Sequence, residues 1–297
     1  MLDRKIRIGA AGSDGLGYVK AITKAARMGL GCLEVAFTYG VRMKPEDAEV
    51  VGRFAREKDI ALSVHAPYYI NLAADDPEKL AASNERILSS CGMAAVMGAR
   101  NVVFHAGFYQ GRSAAKTFAR IAKAIENLQT VVRKNRWAVL LCPETTGKPA
   151  QFGSLDECLQ LARETGCGFT IDFAHLLARA GGNLDYGEVI DRLPSQFHAH
   201  FSGIDYGPRG ERKHLRTTPK FFQPLAEASP DAVVVTPELC QSNPSTQPKA
   251  WNHQGSARRR SISAGPNSST IAIVIAWANL VIRWNNHGGA LPECRGS

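Results

Sequence analysis

Of the eight histidines in this 297-residue chain, four stand directly behind or within short apolar runs. His65 follows Ile60-Ala61-Leu62-Ser63-Val64, and His105 follows Asn101-Val102-Val103-Phe104. Glu144 comes just after the run from Trp137 to Cys142, Asp172 follows Gly168-Phe169-Thr170-Ile171, and His200 lies within Phe197 to Phe201. His175, Glu211, His214 and Glu238 extend the same set. Imidazole and carboxylate are the donors that zinc and manganese take. So many groups converging on one place exceed what a single ion needs. A carboxylate between two ions can bridge them, and Glu144 and Asp172 are the candidates. A cluster of two or three metals suits phosphate-ester hydrolysis, one ion activating water while the others hold the phosphoryl oxygens and stabilise the leaving oxygen. One strand-end histidine is more often structural; the recurrence carries the reading.

Three local patterns add detail. In Asp172-Phe173-Ala174-His175 the aspartate ends a strand, and the histidine lies in the following turn within reach of a neighbouring ion. A helix N-cap would explain the aspartate but does not require the histidine. His198 and His200 share one strand face; His200 is nearer the C-terminal end and is the better ligand, whereas His198 belongs behind it or in the core. In His65-Ala66-Pro67-Tyr68-Tyr69 the proline cannot continue a central ladder. Two aromatics are left in a stiff loop, as a ligand-gripping wedge or as ordinary packing.

The elements that position these groups alternate along the chain. Apolar runs at Ile6–Gly12, Cys32–Phe37, Ile60–Val64, Asn101–Phe104, Trp137–Cys142, Gly168–Ile171, Phe197–Phe201 and Ala232–Val235 read as eight strands. Helical stretches separate them: Tyr18 to Met28, Lys44 to Lys58, Asp76 to Gly98, Ser113 to Lys134, Ser154 to Gly166, Asp185 to Leu193 and Thr218 to Ala228. Proline and acids in the first turn at Pro45-Glu46-Asp47, and Ser154 three residues before Glu157, mark helix starts. Such a cadence argues for a parallel sheet with helical crossovers, and eight units argue for a closed (β/α)8 TIM barrel with its functional groups on the loops after the strands. A doubly wound open sheet is the alternative, but the first glycine loop holds no G-x-G-x-x-G.

A net charge of +9 and a pI near 9.3 lean toward a polyanionic partner. The hydrophobic fraction of 44% is that of a globular protein. Seven cysteines without a C-x-x-C pair, and no signal-like stretch at Met1-Leu2-Asp3-Arg4-Lys5, favour a reducing, cytoplasmic setting. The most apolar late run, Ile271 to Ala278, is far shorter than the roughly 20 residues of a membrane span, so no membrane is expected. Residues 1–239 are read as the barrel. Residues 240–297 change texture: they carry six Lys/Arg against one acid, Glu293, and residues 240–270 are rich in Ser, Pro, Gln and Asn. They are expected to be a disordered basic tail or the product of a reading-frame change, with a nucleic-acid-binding arm as the functional alternative. No convincing helix follows the eighth strand, so the last βα unit is expected to be incomplete.

In order along the chain, His65-Ala-Pro-Tyr-Tyr-Ile-Asn-Leu-Ala, His105-Ala-Gly, Glu144-Thr-Thr-Gly, Asp172-Phe-Ala-His175 and His200-Phe-Ser-Gly resemble the endonuclease IV family of apurinic/apyrimidinic endonucleases over residues 5 to 238. The resemblance implies a TIM barrel with a trinuclear zinc site, two or three ions per chain. Such an enzyme hydrolyses double-stranded DNA 5′ to an abasic site in base excision repair, leaving a 3′-hydroxyl, and is expected to act as a monomer. It also implies that His65 and His105 hold one zinc, that Glu144 bridges to a second held by Asp172 and His200, and that His175 and His214 hold a third. Glu144 and Asp172 would be the catalytic carboxylates. Tyr68 and Tyr69 would enter the duplex at the lesion, with Arg42 on a neighbouring DNA-contacting loop. Two departures stand out. The family places an aspartate two residues before its last histidine, and Arg212 stands there, leaving Glu211 to substitute with a one-residue shift. The final glutamate ligand is matched by Glu238, which follows a proline. The competing function is a metal-dependent sugar isomerase or epimerase on the same barrel type, which needs fewer ligands and a carboxylate pair placed for proton transfer.

Overall fold

The computed structural model describes residues 7–194, 196–215, 217–218, 221 and 224, and the backbone of a strand at 271–276. The barrel is built from β1 (Arg7–Ala11), β2 (Cys32–Ala36), β3 (Ala61–His65) and β4 (Asn101–Phe104), each running parallel to its predecessor. A two-residue strand, β5 (Gly107–Phe108), precedes β6 (Leu140–Pro143), which pairs with β4. A second short strand, β7 (Gln151–Phe152), pairs antiparallel with β5 outside the main sheet. Then come β8 (Thr170–Asp172) and β9 (Gln196–Phe201), the hairpin of β10 (Gly203–Gly207) and β11 (Gly210–Leu215), and finally β12 (Ile271–Ala276). The main sheet runs β6-β4-β3-β2-β1-β12-β9-β8. Its two edges meet at a parallel bridge between Glu144 and Thr170, supported by Thr145 N donating to Thr170 O at 3.0 Å. Eight parallel strands therefore close on themselves as a TIM barrel.

Both faces of the sheet are covered, so β2, β3 and β6 read as nearly unbroken buried runs. The helices are α1 (Tyr18–Arg27), α2 (Pro45–Glu57), α3 (Pro77–Met97), α4 (Ala114–Lys134), α5 (Leu155–Thr165), α6 (Phe173–Arg179) and α7 (Tyr186–Asp191). Each long helix turns one stripe inward, as α4 does with Ile121, Ile125, Leu128 and Val132. Their ends were legible: Asp76, Ser113 and Ser154 accept backbone N–H groups at the starts of α3, α4 and α5, Ser154 within a complete capping box. Gly98 and Gly166 end α3 and α5 in the left-handed region. Cys32, Cys91, Cys142, Cys158 and Cys167 are all buried, as small apolar fillers of the wall. No helix among the described residues is long and apolar enough to cross a membrane.

The strand in the eighth position differs from expectation. β12 lies between β9 and β1, with Ile275 opposite both His200 and Gly9. Six consecutive apolar, largely β-branched residues suit a strand enclosed on both faces. The segment 240–297 thus contains a piece that pairs within the barrel. The strand expected at Ala232–Val235, the ligand expected at Glu238, and all but isolated positions of the helix expected from Thr218 to Ala228 lie outside the described residues. Two further elements were not anticipated. The β10–β11 hairpin folds over the barrel mouth, and α6 starts directly at Asp172.

Candidate metal centre

The parallel register brings the polar strand ends to one level. Ala36 pairs with His65, Phe104 with Pro143, Glu144 with Thr170, and Asp172 with His200. Side chains at paired positions share a face, so His65, His105, Glu144, Asp172 and His200 converge at the barrel mouth. Glu144, only 1% exposed, is the hub: Oε2 lies 3.2 Å from His65 Nε2 and 3.0 Å from His105 Nε2, and Oε1 lies 2.7 Å from His200 Nδ1.

Asp172 has two roles. Its Oδ1 accepts the backbone N–H of His175 at 2.8 Å and caps α6, while Oδ2, fully buried, has no hydrogen-bond partner. The cap places His175 in the first helical turn, so the N-cap and ligand readings of this motif hold together geometrically. His175 Nδ1 donates to the carbonyl of Thr145 at 2.8 Å, and His65 Nδ1 donates to that of Ala66 at 2.8 Å. A carbonyl only accepts, so in the neutral ring each Nε2 carries the lone pair. His65 then turns a lone pair toward a carboxylate. His175 turns one toward His214 Nε2 at 3.1 Å. Such facing acceptors either share a proton or bind a common cation.

The hairpin supplies the last pair of groups. Between Asp205/Tyr206 and Lys213/Glu211 the register slips, leaving Arg212 as the extra residue of a bulge. Strict alternation would put Glu211 and His214 on opposite faces; the bulge brings both to His175. Glu211 Oε2 lies 3.6 Å from His175 Nε2. Arg212 turns away to within 3.8 Å of Asp205, so the residue in the family aspartate's place is outside the site and Glu211 is inside it. Two glycines allow the approach. A Cβ at Gly147 would stand 2.6 Å from that of Glu211, and Gly210 (φ 85°) brings Glu211 N to Gly147 O at 3.0 Å.

Among the described residues the donors form four overlapping triads, each with its ligand atoms within 4.8 Å of one another: His65, His105 and Glu144; Glu144, Asp172 and His200; Asp172, His175 and His214; and Glu34, His198 and His200. The orphaned Asp172 Oδ2, the facing lone pairs and the oxygen-and-imidazole donor set all fit divalent cations. Glu34, on β2, was missed from the sequence. It is fully buried, accepts from Ser63 Oγ at 2.8 Å, and contacts His200 Nε2 at 3.1 Å and His198 Nε2 at 3.4 Å. The signal was a lone carboxylate inside Cys32-Leu33-Glu34-Val35-Ala36, a strand with nowhere to turn it except the barrel interior.

A cavity of about 230 Å³ opens on the first and third triads, with Tyr68, Lys148 and Gln151 on its wall. Tyr68 and Tyr69 stand at the rim, 42% and 66% exposed. Arg42 lines a separate, more open groove with Leu16, Tyr18 and Met43. Five of the six exposed large apolar residues among those described, Leu16, Tyr39, Tyr68, Tyr69 and Phe108, lie on connections leaving the C-terminal ends of strands.

The electrostatics of the site follow from dense pairing among its own residues. Burial opposes ionisation of Glu144, but His200, His105 and His65 together outweigh it and hold the carboxyl well below its usual range. Glu34 behaves alike through His200 and His198. Burial also pulls His200 down, but Glu34 and Glu144 push it well above an ordinary imidazole. His65, through Glu144, and His175, chiefly through Asp172, also end up raised against the pull of burial. Burial lowers His198 and His214. The depressed carboxylates stabilise the fold above about pH 4.5, the unfolded value, and lose that contribution as pH falls through their folded values. The raised histidines stabilise it fully below about pH 6.5 and lose that as pH rises through their folded values. His198 and His214 act in the opposite sense but are outnumbered. Chelator-stripped protein is therefore expected to melt highest on the acid side of neutrality and to lose stability as pH rises above about 6.5. Zinc-loaded protein, in which cations replace protons, should not decline over that range. Melting temperatures against pH for the two forms check this.

Comparison with known proteins gives concordant results. The family model described as xylose isomerase-like TIM barrel matches residues 22–247. An uncharacterized protein of Methanocaldococcus jannaschii is 37% identical over 208 residues, 66% of this chain and 75% of that protein. The probable endonuclease 4 of Mycobacterium leprae is 31% identical over 151 residues, half of this chain and 55% of the relative's length. Among solved structures, endonuclease IV from Thermus thermophilus superposes with a TM-score of 0.61 at 19% identity, covering 91% of each chain. A D-psicose 3-epimerase does so with a TM-score of 0.59 at 15% identity, over 91% of this chain and 84% of that one. At such identities the two structures speak to the fold alone.

Proposed function

Because the chain belongs to the xylose isomerase-like TIM barrel family, which also accommodates the endonuclease IV resemblance of its strand-end motifs, we propose that it is a zinc-dependent endonuclease cleaving DNA 5′ to abasic sites. One observation carries this reading: three donor triads at the mouth overlap through Glu144 and Asp172, a set for two or three ions rather than one. Bound zinc ions supply neutralisation of phosphoryl oxygens and acidification of a water. Glu144 and Asp172 are the shared carboxylates. His65 and His105 hold one side of the cluster, His200 its centre, and His175, His214 and Glu211 the other side. Glu238, outside the described residues, is the remaining carboxylate candidate.

The rim suits a nucleic acid. Burial, and then Glu144, raise the Tyr68 phenol to about 12, so it stays protonated and donates hydrogen bonds at neutral pH. Its ring and that of Tyr69 offer faces to bases or to the gap left by a missing one. Flipping an abasic nucleotide is easier than flipping an intact one, since little stacking is lost. The basic balance of +9 supports phosphate contacts that position the duplex without reading its sequence. The protein is proposed to act in the cytoplasm as a monomer. Tyr68→Ala is expected to weaken binding to an abasic duplex by roughly 5- to 150-fold, from a stacking contribution of about 1–3 kcal/mol, and to leave zinc content unchanged. Fluorescence anisotropy with zinc analysis measures both.

A second reading, a metal-dependent sugar isomerase or epimerase, is favoured by the mouth cavity, whose volume of about 230 Å³ admits a monosaccharide. Product analysis separates the two. The endonuclease reading expects one cut 5′ to a stable abasic analogue in a duplex, leaving a 3′-hydroxyl. Epimerisation of ketoses by a protein that leaves the duplex whole would replace it.

A further inference from the structure

Glu34 shares a triad with His198 and His200 but has no part in the zinc ligand set proposed above, and it is fully buried facing the barrel interior. It pairs in register with Ser63, which donates to its Oε2 at 2.8 Å. Across the interior it meets His198 and His200 on β9, more than 160 residues away in the chain. His200 Nε2 lies 3.1 Å from Glu34 Oε1 and 3.2 Å from Oε2. Both oxygens only accept. The opposite nitrogen, Nδ1, lies 2.7 Å from Glu144 Oε1, in the triad with Asp172.

A neutral imidazole has one N–H and one lone pair. If Nε2 donates to Glu34, the lone pair is on Nδ1 and aims at the shared carboxylates. On this geometry we infer that Glu34 is a positioning residue: it fixes the tautomer and ring orientation of His200, with Ser63 and His198 holding the carboxylate from behind. The inference rests on the metal-centre reading and deepens it. The same bookkeeping decides against a separate ion between Glu34, His198 and His200. His200 cannot offer its single lone pair to that ion through Nε2 and to the Glu144–Asp172 triad through Nδ1. The carboxylate–histidine–metal arrangement raises ligand basicity, and loss of such a partner typically weakens metal binding about 10–100-fold.

The test is chelator competition for zinc alone, and for cobalt with its visible spectrum recorded, on the full chain and on Glu34→Gln. Glutamine keeps the size but not the anionic acceptor. The expected result is a 10–100-fold weaker affinity for one ion, a shifted cobalt band and unchanged affinity for the rest. Ser63→Ala, which only loosens Glu34, should weaken the same ion to a smaller degree and serves if Glu34→Gln does not fold. A merely structural role would lower the melting temperature of the stripped protein without moving affinity or spectrum, and that result overturns the inference. A wild-type chain that takes up no zinc contradicts the metal-centre reading itself, and the inference with it.

Discussion

Replacing Glu144 by glutamine is expected to lower incision at an abasic site by at least about 100-fold while leaving the barrel folded. Loss of a partner that only touches a metal ligand typically costs about 10–100-fold, and on the proposed reading Glu144 would hold the ions itself. It lies within 3.2 Å of His65, His105 and His200 at once. The amide preserves shape but presents one acceptor and one donor where two anionic oxygens stood. Bound zinc should fall by at least one ion per chain, since the triad of His65 and His105 and the triad of Asp172 and His200 both include this residue. In the stripped protein the histidines also lose their counter-charge, so its melting temperature should drop more than that of the loaded form. Near-normal incision with unchanged zinc content would remove Glu144 from its bridging place. Circular dichroism, zinc analysis and a timed cleavage assay on one preparation read all three effects.

A second large effect is expected at Asp172, where two roles can be taken apart. Asp172→Asn keeps an oxygen able to accept the N–H of His175 and so retains the cap of α6. It removes the negative charge from Oδ2, the buried oxygen without a hydrogen-bond partner. Incision should fall on the order of 100-fold with melting of the stripped protein nearly unchanged. Asp172→Ala should lose incision equally and, in addition, about 1 kcal/mol of stability with the cap. If alanine destabilises while asparagine keeps both stability and activity, Asp172 is a cap and nothing more.

Much of this was legible from residue order because it is local. Unbroken apolar runs such as Asn101–Phe104, closed by histidine, glycine or proline, read as enclosed parallel strands, and Asp76, Ser113 and Ser154 marked helix starts. The polar residues behind those runs came together because parallel register places strand ends at one level. What escaped notice depends on distant partners. Glu34 reads locally as a lone charge inside an apolar strand, and only closure of the barrel brings His198 and His200 against it. The hairpin bulge at Arg212 decides that Glu211 and His214 share a side, and a bulge follows from pairing across the strands, which residue order alone does not fix. The run Ile271–Ala276 was visible as apolar, but its partners, β9 and β1, lie at remote points of the chain, and Ala232–Val235 had the better spacing for an eighth strand.

The most direct test of a multinuclear phosphodiesterase centre is zinc titration into chelator-stripped protein, with bound metal and incision of a duplex carrying one stable abasic analogue followed in the same samples. The expected result is activity that appears only as the second or third zinc binds, with a single cut 5′ to the lesion and a 3′-hydroxyl product. Saturation at a single ion with the duplex intact would contradict it.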